Sequence, residues 1–253
     1  MLKSNADISR CALITGSAGA IGMAMVQTFK SAGYKVCGLD ITDEPDKLSD
    51  NFIKADLYEL VNDTGTRDAL VQDLKAWLGS HKLDVLVNNA AYQYVSHEHP
   101  MPVEELIRSY SINVIAPYLL ITELAGVMSE GSASVVNIGS VHSRLTKPGF
   151  VGYATTKATL AALTRGLALD YQDRLRINCI EPASIETPML LDGFKNCPEK
   201  KSDLENFHPQ RRIGTPAEIA AMALALSSSE VRFLHGACID MSGGISGRLH
   251  DPA

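Results

Sequence analysis

Seven short apolar runs alternate with longer stretches of helical period along the chain, and this alternation most narrows what it can fold into. The runs lie at 11–15, 35–40, 52–55, 83–87, 134–139, 176–180 and 237–241. They are apolar at most positions rather than at every second one, the pattern of strands covered on both faces. Amphipathic stretches fall between them, at about 21–32, 66–78, 103–128, 152–171 and 216–227. Thr215-Pro216 supplies an N-cap and a proline at the first helical position, and Gly33 closes the first helix. Such an order predicts an α/β fold with a doubly wound, mainly parallel sheet and helices on both faces. Ligands of these folds bind at the carboxyl ends of the strands.

The first such end reads Thr15-Gly16-Ser17-Ala18-Gly19-Ala20-Ile21-Gly22, between a strand and a helix. Small residues let the backbone turn sharply and approach a pyrophosphate, and the helix start offers free N–H groups to it. The reading is a Rossmann-type nucleotide site with Gly16, Ser17, Ala20 and Ile21 at the cofactor. Asp40 ends the second strand, where a carboxylate accepts hydrogen bonds from both ribose hydroxyls of NAD and repels a 2′-phosphate. The turn carries no Arg or Lys, so NAD is expected over NADP. Asp56, after the third strand, is placed either against the adenine amino group or as a helix N-cap.

Tyr153 and Lys157 stand four apart in a helical stretch, so both project from one face. A free phenol titrates near a pKa of about 10, and a neighbouring cation draws that value toward neutrality. The pair then exchanges a proton with a carbonyl or alcohol oxygen. Alone, a Tyr and a Lys at this spacing are most often a surface pair; the surrounding motifs decide.

The 253 residues are 45% hydrophobic and 21% charged, with a formal net charge of −6. No linker, repeat or low-complexity run divides the chain, so one domain over 1–253 is expected. Without a basic cluster beyond Lys200-Lys201 or Arg211-Arg212, nucleic acid is not an expected partner. The first residues lack the apolar core of a signal peptide, and no apolar run was read as long enough to span a bilayer, so a cytoplasmic protein without a membrane is expected. Cys11, Cys37, Cys179, Cys197 and Cys238 form no CxxC pair and read as reduced structural thiols. His97 and His99 read as loop residues, and no metal is expected.

In order along nearly the whole chain, these motifs and others resemble the short-chain dehydrogenase/reductase family in its compact form. Thr15 to Gly22 is similar to its TGxxxGxG turn, with Ala20 for the middle glycine. Asn88-Asn89-Ala90-Ala91 is similar to NNAG, and Pro182 to Thr187 to PGxxxT, with Ala91 and Ala183 for glycine. Asn113, Ser140 and the terminal Gly243-Gly244 also fit. The resemblance implies a catalytic tetrad of Asn113, Ser140, Tyr153 and Lys157. Tyr153 is then the acid/base, and Lys157 lowers its pKa and binds the nicotinamide ribose. Ser140 holds the substrate oxygen, and Asn113 supports a water leading from Lys157 to solvent. It further implies that Asn89 lies at the cofactor and that Ile185 and Thr187 hold the carboxamide. The implied reaction is hydride transfer between NAD(H) and a secondary alcohol or ketone.

For the substrate, the resemblance points to Gln93, Ser140, His142, Arg144 and Tyr153. Gln93 and His142 are similar in position to residues that hold the carboxylate in 3-hydroxybutyrate dehydrogenases, but Phe150 replaces the lysine of those enzymes. A small polar or anionic substrate, a hydroxy acid or sugar derivative, is expected. The segment from Pro188 to about Gln210 reads as a long charged lid, and a homotetramer is expected. A different class of reading is a catalytically silent NAD-binding regulator on the same fold; such relatives typically lose the Tyr or Lys kept here.

Overall fold

The computed structural model describes residues 10–96, 101–195 and 198–249; His97, His99 and Cys197 lie outside the described residues. All seven expected runs are strands: β1 (Arg10–Thr15), β2 (Tyr34–Asp40), β3 (Asn51–Lys54), β4 (Leu83–Asn88), β5 (Ser134–Ile138), β6 (Arg176–Pro182) and β7 (Cys238–Met241). They form one parallel sheet in the order β3-β2-β1-β4-β5-β6-β7. The winding reverses between β1 and β4, so the loops after these strands diverge and leave a crevice at their carboxyl ends.

Helices cover both faces because the central strands are apolar on both. On one side α1 (Ala20–Ser31) packs against α9 (Pro216–Ser227), burying Met25, Val26, Phe29, Ile219 and Ala223 against β1, β4 and β5. The other side carries α2 (Leu57–Asn62), α3 (Thr64–Leu78), α4 (Val103–Tyr110), α5 (Ala116–Leu124) and α6 (Val151–Tyr171). Burial at roughly 25 cal/mol per Å2 makes these two layers the main source of stability. A polar chain crosses the second layer: Asn88 donates to Asn137 at 2.8 Å, and Asn137 donates to Thr164 of α6 at 2.9 Å. The Asn137 amide is satisfied on both sides by this chain, whereas the Asn88 oxygen is buried without a partner.

Sequence and structure differ in two places. The stretch expected as one helix over 103–128 is interrupted by a π-helical turn, Ser111–Ile115, between α4 and α5. Taken together, Val103–Val127 is long and apolar enough to cross a membrane, with a mean hydropathy of 1.3, contrary to the expectation. Half of it is buried within the fold, against β4 and α6, which makes it a core helix. The charged segment after Thr187 is likewise more regular than a loop. It contains α7 (Pro188–Asp192) and α8 (Pro198–Phe207), each opened by a proline at its first position.

Candidate active site

The crevice at the switch point is a cleft of about 760 Å3. The turn after β1 forms its floor. Gly16 has φ +65°, and a Cβ there would lie 2.8 Å from the Ala90 Cα. At Gly22 a Cβ would lie 2.0 Å from the Gly16 carbonyl oxygen, so the turn closes only with glycine there. Gly19 caps α1 without a side-chain bond, which leaves the first N–H groups of that helix facing the cleft. Gly16, Ala20 and Ile21 line the cleft, as does Ala91, so the added methyls of Ala20 and Ala91 do border it.

Ser17 departs from the expectation. Its N–H donates to Leu39 O at 3.3 Å, and its side chain is fully buried against β2. There the missing Cβ of Gly38 makes room for the hydroxyl. Ser17 therefore joins the turn to the sheet, and it is not among the residues that line the cleft.

Asp40 stands at the cleft wall, with one carboxylate oxygen accepting from Ala18 N and the other from Thr42 N and Oγ1, each at 3.0 Å. Asp56 is both N-cap and cleft residue: it accepts from Tyr58 N at 2.8 Å, and Arg108 lies 3.8 Å from its other oxygen. Asn89 lines the cleft but spends its amide on the glycine turn, donating to Thr15 O and Gly16 O at 3.0 Å. Thr15 answers by accepting from Asn89 N and Ala90 N. Thr15 and Ala18 belong to the turn read from the sequence, but their partners Asn89 and Asp40 are supplied by the fold; no sequence signal marked Thr42 or Arg108.

Tyr153 faces the same cleft from α6. The Ser140 hydroxyl lies close enough to its phenol to favour the ionised form, and that hydroxyl donates to Pro182 O at 3.5 Å and accepts from His142 N at 3.2 Å. Lys157, one turn on, is buried and donates to Ile138 O at 2.7 Å, with its ammonium nitrogen 5.5 Å from the Tyr153 ring centre. The expected effect of Lys157 on the phenol is not what sets it here. Although the ring keeps some exposure to the cleft, desolvation raises Tyr153 to about 12, and the Ser140 hydroxyl only partly offsets this. Burial also draws Lys157 down to about 8. At pH 7 the pair is thus a neutral phenol beside a lysine that still carries its proton but holds it less tightly, because burying either group disfavours its ionised form.

Asn113 sits in the π-helical turn, a distortion common at functional sites. Its side chain accepts from Tyr92 N and donates to Tyr92 O and Thr156 Oγ1, at 2.7, 2.8 and 3.0 Å. Thr156 in turn donates to Tyr153 O. Asn113 thereby ties the Tyr92 segment to the tyrosine helix, with both side-chain N–H groups used within the protein.

Of the expected substrate residues, Gln93 lines the cleft, and His142 stacks on Phe150 at 4.8 Å and meets Tyr153 edge-on at 5.5 Å. Burial, helped by Lys147, lowers the His142 pKa, so the ring is neutral at pH 7. Arg144 is turned elsewhere. Its guanidinium is paired with Asp240 at 2.8 Å and with buried Glu181 at 3.1 Å, because two carboxylates outcompete an open cleft. Thr187 lines the cleft and caps α7. Ile185 does not line the cleft: its side chain is buried in the α9 layer.

Comparison with known proteins agrees with this geometry. A family profile described as Enoyl-(Acyl carrier protein) reductase matches residues 16–246. An uncharacterized oxidoreductase of Mycobacterium tuberculosis is 32% identical over 94% of this chain and 92% of its own length. The 2-(R)-hydroxypropyl-CoM dehydrogenase of Xanthobacter autotrophicus is 30% identical over 93% and 98%. Among solved structures, ligand-free aldohexose dehydrogenase of Thermoplasma acidophilum superposes with a TM-score of 0.88 at 29% identity, covering 97% of both chains. With its seven-stranded sheet and Ser-Tyr-Lys site, the chain belongs to the short-chain dehydrogenase/reductase family, as an oxidoreductase acting on alcohols with NAD or NADP.

Proposed function

We propose that this protein is an NAD-dependent dehydrogenase that interconverts a small polar secondary alcohol and its ketone. The observation that carries the reading is one cleft with Asp40 at one end and Tyr153, with Ser140 beside it, at the other. The glycine turn and the open start of α1 fit a pyrophosphate, and Asp40 fits unphosphorylated ribose hydroxyls. NAD supplies the hydride-accepting ring, and this chain's residues do the rest. Ser140 orients the substrate oxygen, and Tyr153 passes the proton at that oxygen. Lys157 holds a positive charge behind the phenol. With the phenol near 12, the resting form is the proton donor needed for ketone reduction. In the oxidative direction the same oxygen must first release its proton.

The pocket around Tyr153 offers neutral hydrogen-bonding groups: Gln93, Ser140 and a neutral His142. With Arg144 held by Glu181 and Asp240, these groups suit a sugar or polyol best, and the likeness to an aldohexose dehydrogenase agrees. A hydroxy acid is the second reading, favoured by the Lys147 ammonium 4.7 Å from the Phe150 ring centre. Turnover also separates the enzyme from a silent NAD-binding regulator. The test is a screen of sugars, polyols and hydroxy acids with NAD and with NADP, followed by NAD(P)H absorbance. Reduction of NAD by a polyol or sugar is expected. Exclusive use of NADP would overturn the reading of Asp40, and cofactor binding without turnover on any alcohol would favour the regulator.

Within this reading the protein is a cytoplasmic homotetramer. Exposed apolar side chains lie on α4 and α5 (Ile107, Tyr118), on α6 (Leu169) and before β7 (Phe233), where such an assembly would cover them.

A further inference from the structure

Behind the catalytic lysine lies a pair of sulfurs that the mechanism does not use. Cys179 of β6 and Cys238 of β7 are direct partners in the parallel register, with their side chains under α6. Their sulfurs and a Glu181 oxygen all lie within 4.8 Å of one another. Cys179 is fully buried and Cys238 is partly exposed. Arg165 of α6 directs an N–H at the Cys238 sulfur, 3.6 Å away. A metal is a poor occupant, since Glu181 is already held by Ser143 at 2.6 Å and by Arg144. Lys157 adds a further positive charge beside Cys179.

We propose that Cys179 and Cys238 are an oxidation site that closes to a disulfide on reaction with a hydroperoxide. Directly paired residues of adjacent strands, roughly 4.8 Å apart, meet the Cα spacing of about 4.4–6.8 Å that a disulfide needs. The nearness of Cys238 and burial hold the Cys179 thiol protonated. The same nearness, with Arg165 adding to it, draws Cys238 down to about 7. The outer sulfur is therefore the nucleophile, and it is also the accessible one. Its thiolate attacks the peroxide: an S–O bond forms, the O–O bond breaks, and the leaving hydroxide takes up a proton to become water (alkoxide and alcohol for an organic hydroperoxide). The resulting sulfenic acid is attacked by the Cys179 sulfur. The S–S bond forms, the S–O bond breaks, and hydroxide leaves with the Cys179 proton as water. Two thiols are oxidised and one peroxide is reduced.

The link reaches the active site through one contact. A Cβ on Gly139 would lie 2.7 Å from the Cys179 sulfur, so that sulfur packs under the Gly139 backbone. Gly139 joins Ile138, whose carbonyl holds Lys157, to Ser140. Drawing the sulfurs to about 2.05 Å pulls Cys179 from beneath this junction. The effect on turnover rests on the proposed dehydrogenase reading; the cross-link does not.

The test treats the reduced full-length protein with hydrogen peroxide, alkylates the remaining thiols with iodoacetamide after unfolding, and maps the peptides by mass. The expected result is a peptide pair joined through Cys179 and Cys238, lost on dithiothreitol treatment and absent in Cys238→Ser and Cys179→Ser. Recovery of both as alkylated thiols, Cys238 stopped at sulfinic acid, or a link through Cys197 would overturn the proposal. Turnover of the oxidised wild type should fall severalfold and return with dithiothreitol, while peroxide leaves Cys238→Ser unchanged. A mapped link with unaltered turnover would overturn the coupling to Lys157.

Discussion

Lys157 shows how one residue can serve chemistry at the expense of stability. Its ammonium is almost fully enclosed and meets a carbonyl rather than a carboxylate. Burial lowers its pKa from 10.5 to about 8. Below pH 8 the lysine is charged in both folded and unfolded chains, and the folded state bears the full desolvation cost. Between about 8 and 10.5 the unfolded chain binds more protons, so this group's contribution to stability rises with pH. Urea unfolding of wild type and Lys157→Met should show the wild type gaining roughly 2–3 kcal/mol on the variant across that window. At pH 7 the variant should unfold at equal or higher urea while turnover is lost. Tyr153→Phe should abolish turnover and leave NAD(H) binding intact, measured by NADH fluorescence; retained turnover would refute the assigned acid. Asp40→Ala should relax cofactor choice by about tenfold or more in the ratio of kcat/KM values for NAD and NADP, since a charge-assisted contact to ribose contributes about 1.5–3 kcal/mol.

At the level of elements, the loop-to-helix junctions carry both stability and function, and their signals are local. Thr215 and Glu218 form a reciprocal capping box at the start of α9, whose buried face packs on α1. Thr215→Ala should cost about 1 kcal/mol, read as a shift in the urea midpoint without loss of activity. Gly22→Ala places a methyl against the Gly16 carbonyl and should weaken NAD binding at least tenfold while α1 persists; unchanged affinity would show that the turn can yield. The glycine turn, the Thr215-Pro216 cap and the strand ends were legible because each depends on residues close in sequence. Interruption of 103–128 was not. The π-helical turn brings the Asn113 amide to Tyr92 and Thr156, partners far along the chain that no helical periodicity reveals. Helices α7 and α8 escape the sequence reading for a different reason: α7 is too short at 5 residues to show a helical period, and the charge of α8 leaves it no apolar stripe.

For the whole molecule, the sheet brings residues from Gly16 to Pro188 to one crevice and leaves apolar side chains on the outer helices. Leu169 is 76% exposed and Phe233 fully so, a cost that a second subunit would remove. Light scattering should report a mass of four chains of 27.3 kDa, and charged substitutions at Leu169 and Phe233 should split the assembly; a wild-type monomer would refute it. By itself the sequence determined the strands, the winding order expected of them, the glycine turn and the Tyr-Lys helix. Hydrophobic period, turn residues and motif spacing are written in nearest neighbours. The tertiary structure decided what depends on through-space competition. It drew Arg144 from the substrate side to Glu181 and Asp240, turned Ser17 into the sheet, raised the phenol instead of lowering it, and set two cysteines of adjacent strands together behind the lysine. Charge pairing, desolvation and strand register act between residues far apart in the chain, so they exist only once it has folded.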